Sequence, residues 1–445
     1  MNVSLLIKNG LILDPVSNRE YQADISIVAG DIAAIAPSLE PVAGQAVMDA
    51  TGLWIAPGLI DMHTHLRDFG QSDCEDIATG TLAAAAGGYT CVLAMANTDP
   101  PIDSSAMLSL LLRRIEEKAH VEVMPVACVT RGAEGRDLVN MVELADLGAE
   151  AFSDDGLPVS NMAVLSRALE YAKLARRVII SHAEDKDLSA GAAIHECLVG
   201  TNLGLPGIPY SAETSAIARE IEIVRQTGGR LHFAHVSAAT SVALIRAAKS
   251  SGLPITADTT PHHICLTVDD ITSFNTSFKM NPPLRTAEDQ AALIAGLADG
   301  TIDAIATDHA PHTALDKQKP FAEAPFGIIG LETAFAVTVE RLVKQAHMSR
   351  LSFISLFTSR PAGILDLPQP VIEVGEPANL VVLDPEHKWK YDASKGLSKS
   401  SNSPFTGKQL TGKAMLTFCA GETAYKDENL IAARMRSGAL ASSNQ

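Results

Sequence analysis

Between residues 59 and 306 the chain alternates apolar, strand-like runs with amphipathic, helix-length stretches, and it does so eight times. Strand candidates fall at 59–62, 90–96, 121–129, 149–152, 178–181, 231–234, 254–257 and 302–306, with helical segments such as 77–86, 105–119, 162–175, 212–226 and 238–248 between them. Strand–helix alternation makes the strands parallel and covers them with helices, because a parallel pair needs a long crossover. Eight such units over roughly 300 residues fit a closed (β/α)8 barrel of the α/β class. A doubly wound open sheet is the competing arrangement; no GxGxxG follows the first strand, which counts against it.

Both ends of the chain read differently. Residues 4–13 are apolar with Lys8-Asn9-Gly10 as a turn inside them, 23–28 alternates, and 31–36 follows another glycine turn. The β texture returns at 379–383 and 414–420. The simplest organisation is a barrel over 56–370 and a small composite β domain built from 1–55 and 371–445. From about Ala432 the chain ends in small and polar residues, the composition of a partly disordered tail.

Composition narrows the functional classes. With 35 basic against 52 acidic residues the net charge is −17, which argues against a nucleic-acid partner, since phosphate neutralisation needs clustered Lys and Arg. The uncharged stretch 77–98 contains Gly87-Gly88, threonines and Asn97, so it reads as a buried helix and strand and not as a membrane span. Six scattered cysteines without a CxxC pair, and Lys8 and Asp14 ahead of any long apolar run, predict a reducing, cytoplasmic setting without a signal peptide.

In such a barrel the C-terminal ends of the strands carry the chemistry. The first strand ends in His63-Thr64-His65, whose histidines are two apart and reach the same side of an extended segment. The fourth ends in Ser153-Asp154-Asp155, the fifth in His182, the sixth in His235 and the eighth in Asp308. Four imidazoles and two carboxylate sites on one face suit one or two borderline divalent cations, zinc first by ligand type. Seven of the remaining histidines read as structural: His120, His195, His347 and His387 as solvent-facing, His232 as turned outward against a helix, His262 and His263 as supporting residues.

The stretches PGLIDMHTHLRD (57–68), MANTDPP (95–101), FSDDG (152–156), SHAED (181–185), AHVS (234–237), TPHH (260–263), KMNPPLR (279–285), ATDHAPH (306–312) and FGIIGLET (326–333) span nearly the whole barrel. Together they resemble the dihydroorotases of the amidohydrolase superfamily, of the bacterial long-chain type. The resemblance implies His63, His65, Asp155, His182, His235 and Asp308 as ligands of Zn2+. Many relatives use a carboxylated lysine at the fourth strand; no lysine stands between Lys118 and Lys173, and Asp155, chosen over Asp154, takes that place. The same absence argues against a hydantoinase or allantoinase, and the complete ligand set against a non-catalytic scaffold.

The implied reaction is the reversible cyclisation of N-carbamoyl-L-aspartate to dihydroorotate. Asp308 is the implied catalytic proton carrier, between the attacking water and the departing ring nitrogen. Arg67, two residues past His65, suits the substrate's second carboxylate by bidentate pairing, unless it is spent on Asp68 or Asp73. Asn97 and His312 resemble further carboxylate contacts, and Asn281 with the backbone of Phe326 and Gly327 contacts to the ring amides. Where many members follow the arginine with Glu-Pro-Gly, this chain has Asp68-Phe69-Gly70, which predicts a looser turn beside Arg67. A homodimer and association with aspartate transcarbamoylase are the partners the resemblance suggests.

Overall fold

The computed structural model describes residues 4–436 of the 445; the tail predicted to be partly disordered lies, beyond 436, outside the described residues. Eight parallel strands form one sheet: Leu59–Thr64, Tyr89–Ala94, Glu122–Ala127, Ala151–Phe152, Val178–Ser181, Leu231–Phe233, Ile255–Thr259 and Ala304–Ile305, each paired with the next. A parallel bridge from Thr64 to His309 and the His65 N–H to His309 carbonyl bond (2.9 Å) bring the last segment beside the first, so the sheet is a nearly closed barrel. Every predicted strand is present.

The helices follow from local sequence. Ile77–Gly87 starts where the Asp76 carboxylate takes the Thr79 N–H and the Thr79 hydroxyl faces the Asp76 N–H, and it stops at Gly88, whose φ of 94° suits glycine. Its residues and the strand Tyr89–Ala94 are largely buried, which accounts for the uncharged stretch. Among the described residues no helix is long and apolar enough to cross a membrane. The barrel interior is filled by side chains such as Met62, Leu93, Met95, Val126, Ile180 and Ala234.

Both chain ends contribute to a second, nine-stranded sheet. Its main path runs Glu422–Lys426, Gln409–Cys419, Leu380–Lys390, Trp54–Pro57, Ser4–Asp14, Arg19–Val28 and Asp31–Ala36. Lys8-Asn9-Gly10 is not a turn. Ser4–Asp14 is one strand, and its register against Arg19–Val28 shifts between Ile7 and Gly10, with Asn9 at φ 62°. The extra residue is absorbed as a bulge, and Gly10 at its end packs so closely that a Cβ there would lie 2.2 Å from Ile55 Cδ1.

The chain passes from this sheet into the barrel at Gly58, between Trp54–Pro57 and Leu59–Thr64. A Cβ there would stand 2.0 Å from Thr90 Oγ1 and 2.3 Å from its Cγ2, on the neighbouring strand. Gly58→Ala is therefore expected to lower stability by about 1–3 kcal/mol through overpacking. Adding Thr90→Ala should recover part of the loss, because it removes both atoms. Thermal melts of the two single variants and the double variant check this; strictly additive losses would refute the contact.

Candidate active site

The Asp155 carboxylate sits at the centre of the barrel's C-terminal end, surrounded by His63 and His65 from the first strand, His182 after the fifth and His235 after the sixth. Its oxygens lie 3.5 Å from His63 Nε2, 3.6 Å from His65 Nε2, 3.6 Å from His182 Nδ1 and 3.8 Å from His235 Nε2. Two triads that share Asp155, one with His63 and His65 and one with His182 and His235, have ligand atoms within 4.8 Å of one another. Asp154, the adjacent carboxylate, turns away and accepts the N–H groups of Val129 (2.8 Å) and Thr130 (3.1 Å).

These groups are buried and incompletely satisfied. Among the described residues, both ring nitrogens of His63, Oδ1 of Asp155 and Nδ1 of His235 have no hydrogen-bond partner. Buried polar atoms in native proteins are almost always paired, so this much vacancy at one point, on atoms that are all good metal donors, is the signature of a cation site. The residues fit a divalent ion. Burial drives the Asp155 carboxyl upward, but the His63 charge and the close approach of the His182, His235 and His63 rings hold it well below the usual carboxylate range. Burial likewise pushes the imidazoles down, yet attraction to Asp155 leaves His63 at about 10, and bonds to Asp155 and Glu184 leave His182 at about 9.

Asp308 closes the ring. Its Oδ1 lies 3.2 Å from His65 Nε2 and 3.7 Å from His63 Nε2; against the effect of burial, the His65 bond and the His63 charge keep it ionised, far below its ordinary value. Asp308 is at φ 46°, His235 at φ 40° and Arg67 at φ 56°, a region that residues with a Cβ seldom occupy. Strain of about 1–3 kcal/mol per residue is typical of functional positions.

A cleft of about 360 Å3 opens over this cluster. Arg67, Asn97, Asn281, His312, Phe326 and Gly327, the six residues predicted to touch substrate, all line it. Arg67 is half-buried; its Nε donates to the Pro311 carbonyl (3.2 Å) and its Nη2 approaches His312 Nε2 (3.4 Å). Neither Asp68 nor Asp73 pairs with it. Asp68 instead binds Arg114, whose guanidinium lies 4.5 Å over the Phe69 ring, so the turn without the proline is stapled and not loose. His312 Nε2 faces the Phe326 carbonyl at 2.7 Å, and burial followed by the Arg67 charge lowers it to about 3, which keeps it neutral. Gly327 allows this approach: at φ 148°, a Cβ would meet the Ala310 carbonyl at 2.6 Å and His312 Cδ2 at 2.8 Å.

Asn97 and Asn281 have partners inside the cluster. Asn97 accepts from or faces His65 Nδ1 (3.0 Å) and donates to Asp155 Oδ2 (3.0 Å); Asn281 donates to Glu184 Oε2 (3.0 Å). Glu184, 2.9 Å from His182 Nε2 and also bound to Lys186, fixes that ring. It was not singled out from the sequence, although it stands two residues past His182 in SHAED. Asp258 was missed because the seventh strand was read as ending at 257. Its Oδ1 takes the His235 N–H (2.6 Å) and its Oδ2 lies 2.8 Å from His232 Nε2. His232 therefore points into the barrel, contrary to expectation. Leu231 and Phe233 take the helix-facing side, and the turn at His235 breaks the strand alternation between them. His195 is also buried, 3.1 Å from Arg285 Nη1, whereas His120 and His347 are exposed.

Comparison with known proteins agrees with this geometry. A family model described as dihydro-orotase-like matches residues 52–241. The chain is 45% identical to a dihydroorotase of Pelotomaculum thermopropionicum over 96% of this chain and 99% of that one. It is 43% identical to a dihydroorotase of Citrifermentans bemidjiense over 95% and 100%. Among solved structures, an L-hydantoinase (dihydropyrimidinase) from Arthrobacter aurescens superposes with a TM-score of 0.84 at 25% identity, covering 96% of each chain. A dihydropyrimidinase from Brevibacillus agri NCHU1002 superposes at 0.82 with 22% identity, again over 96% of each, which speaks for the fold. Near-complete coverage at such identity, on a barrel that gathers these imidazoles around one aspartate, makes the chain a member of the dihydroorotase family.

Proposed function

We propose that the protein is a dihydroorotase that interconverts N-carbamoyl-L-aspartate and dihydroorotate plus water, with Zn2+ held by the two triads that share Asp155. The observation that carries the reading is Arg67. Among the described residues no carboxylate lies within ion-pair distance of this half-buried guanidinium, which faces a cleft directly above the metal-type triads. A cation held in such a place calls for an anionic ligand, and the substrate's free carboxylate fits it. Hydantoin and dihydrouracil rings carry none.

When bound, the cation supplies a Lewis acid for the reacting carbonyl and lowers the pKa of water. The chain's own residues do the rest. Arg67, with the neutral His312 beside it, holds the carboxylate. The cleft wall at Phe326 and Gly327 offers the second lone pairs of its carbonyls to the ring N–H groups. Asp308, ionised by its histidine neighbours, accepts the proton of the attacking water and returns it to the ring nitrogen as the C–N bond breaks. In the opposite direction Asp308 takes the ureido proton as the C–N bond forms and passes it to the departing carboxylate oxygen, which leaves as water with a second proton drawn from solvent. His65 and His63 hold Asp308 at the mouth of the cluster for this exchange.

Asp308→Ala is expected to cut turnover by about 10²–10⁴-fold while the fold persists by circular dichroism; survival of activity within about tenfold would remove it as the proton carrier. Arg67→Met should raise KM for dihydroorotate far more than for hydantoin or dihydrouracil. Wild-type turnover of either neutral ring with none of dihydroorotate would overturn the substrate assignment.

Metal loading should be coupled to protons. With His63 at about 10 and His182 at about 9, both imidazoles are charged at neutral pH, and a cation must displace those protons. About two protons per chain are therefore expected to leave when metal-free protein is loaded with Zn2+ at neutral pH. The release should shrink, and affinity rise, as pH climbs through about 9 and about 10. Calorimetric titrations in buffers of different ionisation enthalpy measure it; loading without proton release at neutral pH would show that the imidazoles are already neutral.

A further inference from the structure

We propose that Asn402 is a positioning residue for substrate binding, holding at fixed spacing the two loops that present His312, Phe326 and Gly327; the inference rests on the dihydroorotase reading above. The strands Leu380–Lys390 and Gln409–Cys419 are antiparallel neighbours in the small sheet, yet the chain between them makes no tight turn. It runs across the mouth of the barrel instead, and Asn402 within it is buried, 4% exposed.

The amide of Asn402 is engaged on both sides. Nδ2 donates to the Ala310 carbonyl at 2.9 Å and to the Gly327 carbonyl at 3.0 Å, while Oδ1 accepts the His312 N–H at 3.1 Å. Its backbone carbonyl takes the Ile329 N–H at 3.1 Å. Both donors of one planar group therefore go to two different loops, and the rigid amide sets the distance between them. That distance bears on the ligand. His312 Nε2–H donates to the Phe326 carbonyl (2.7 Å) and the ring lies beside Arg67, 3.4 Å from its Nη2, while Gly327 already leaves no room for a Cβ against Ala310 and His312. A shift of either loop moves His312 relative to Arg67.

The loops keep other ties, the Ala310 N–H to the Ile328 carbonyl (3.0 Å) and the Gly327 N–H to the Lys279 carbonyl (3.0 Å), so losing the amide should displace them without unfolding the barrel. Asn402 makes no hydrogen bond to the two triads or to Asp308. Its effect belongs to binding and not to the chemical step.

The test uses the full-length, zinc-loaded protein with Asn402→Ala and Asn402→Asp; the second keeps the volume and the acceptor for His312 but loses both donors. KM for dihydroorotate is expected to rise about tenfold or more with kcat within about threefold, as for loss of one hydrogen bond's worth of binding, and zinc content should not change. Combined with His312→Ala, Asn402→Ala should add little to the KM effect of His312→Ala alone, because both act through the same ring. A lowered melting temperature with unchanged KM, or KM effects that add fully, would overturn the proposal. Should Asn402→Ala fail to fold, the isosteric Asn402→Asp decides. An inert wild-type protein would bring down the dihydroorotase reading and this inference together, whereas an active wild type with unaltered KM in the variants would bring down this inference alone.

Discussion

The rest of the site is arranged around one buried charge. Asp155 is 5% exposed, and a carboxylate so placed stays ionised only if positive or hydrogen-donating groups replace its water. Four imidazoles from three strand ends do this, with ring centres 4.7 to 5.2 Å apart from His65 through His63 and His235 to His182. Packed that closely, the rings would repel one another in their charged forms without the anion between them. Each is held by a further group: His65 by Asn97, His182 by Glu184, and His63 and His235 through their backbones by Asp61 and Asp258. The cluster is therefore a balanced set in which the carboxylate and the rings require each other.

Closure of the barrel depends on the same ends. Asp61, beneath His63, accepts the N–H groups of His63 (3.2 Å) and Thr307 (2.9 Å), so one side chain ties the first strand to the eighth next to both His63 and Asp308. Asp61 is fully buried, and burial raises its carboxyl to about 6, only partly offset by the hydrogen bonds from Thr307. Just above it, Asp308 and Arg67 adopt left-handed backbone, and the bridges of His309 to Thr64 and Ile328 lock the segment between them. The strained conformations persist because the seam over-determines them.

This architecture explains what could be read from the residues in order and what could not. Eight strands and the histidine set were legible because burial imposes period and because strand ends in a barrel converge wherever the helices lie. The direction of His232 was not. Counting alternation back from His235 assumes extended backbone, and His235 stands at φ 40°, so the count slips by one and His232 faces inward to Asp258. His195 was misjudged for another reason: its partner, Arg285, is 90 residues away and no local pattern announces it. The turn after Arg67 holds by a contact of the same kind, Asp68 with Arg114 from the helix Ser105–Lys118, 46 residues on. Asn402, in a Ser- and Pro-containing stretch of the other sheet's connection, carries no periodicity at all.

Net charge and site charge also part company. At −17 the molecule as a whole repels a dianion, and two of its acidic residues, Asp155 and Asp308, stand in the cleft itself. Exposed charges are screened within about 8–10 Å at physiological salt, so most of the acidic surface has little weight at the reacting atoms. Inside the cleft the effective dielectric is lower, and one guanidinium without a carboxylate partner counts for more than several lysines on the surface. Arg67 is kept in that state by its surroundings: Asp68 is taken by Arg114, a backbone carbonyl accepts from its Nε, and the imidazole beside it is neutral, so nothing cancels its charge. On the proposed reading, selectivity for an anionic ring follows from which carboxylates the fold has already paired elsewhere.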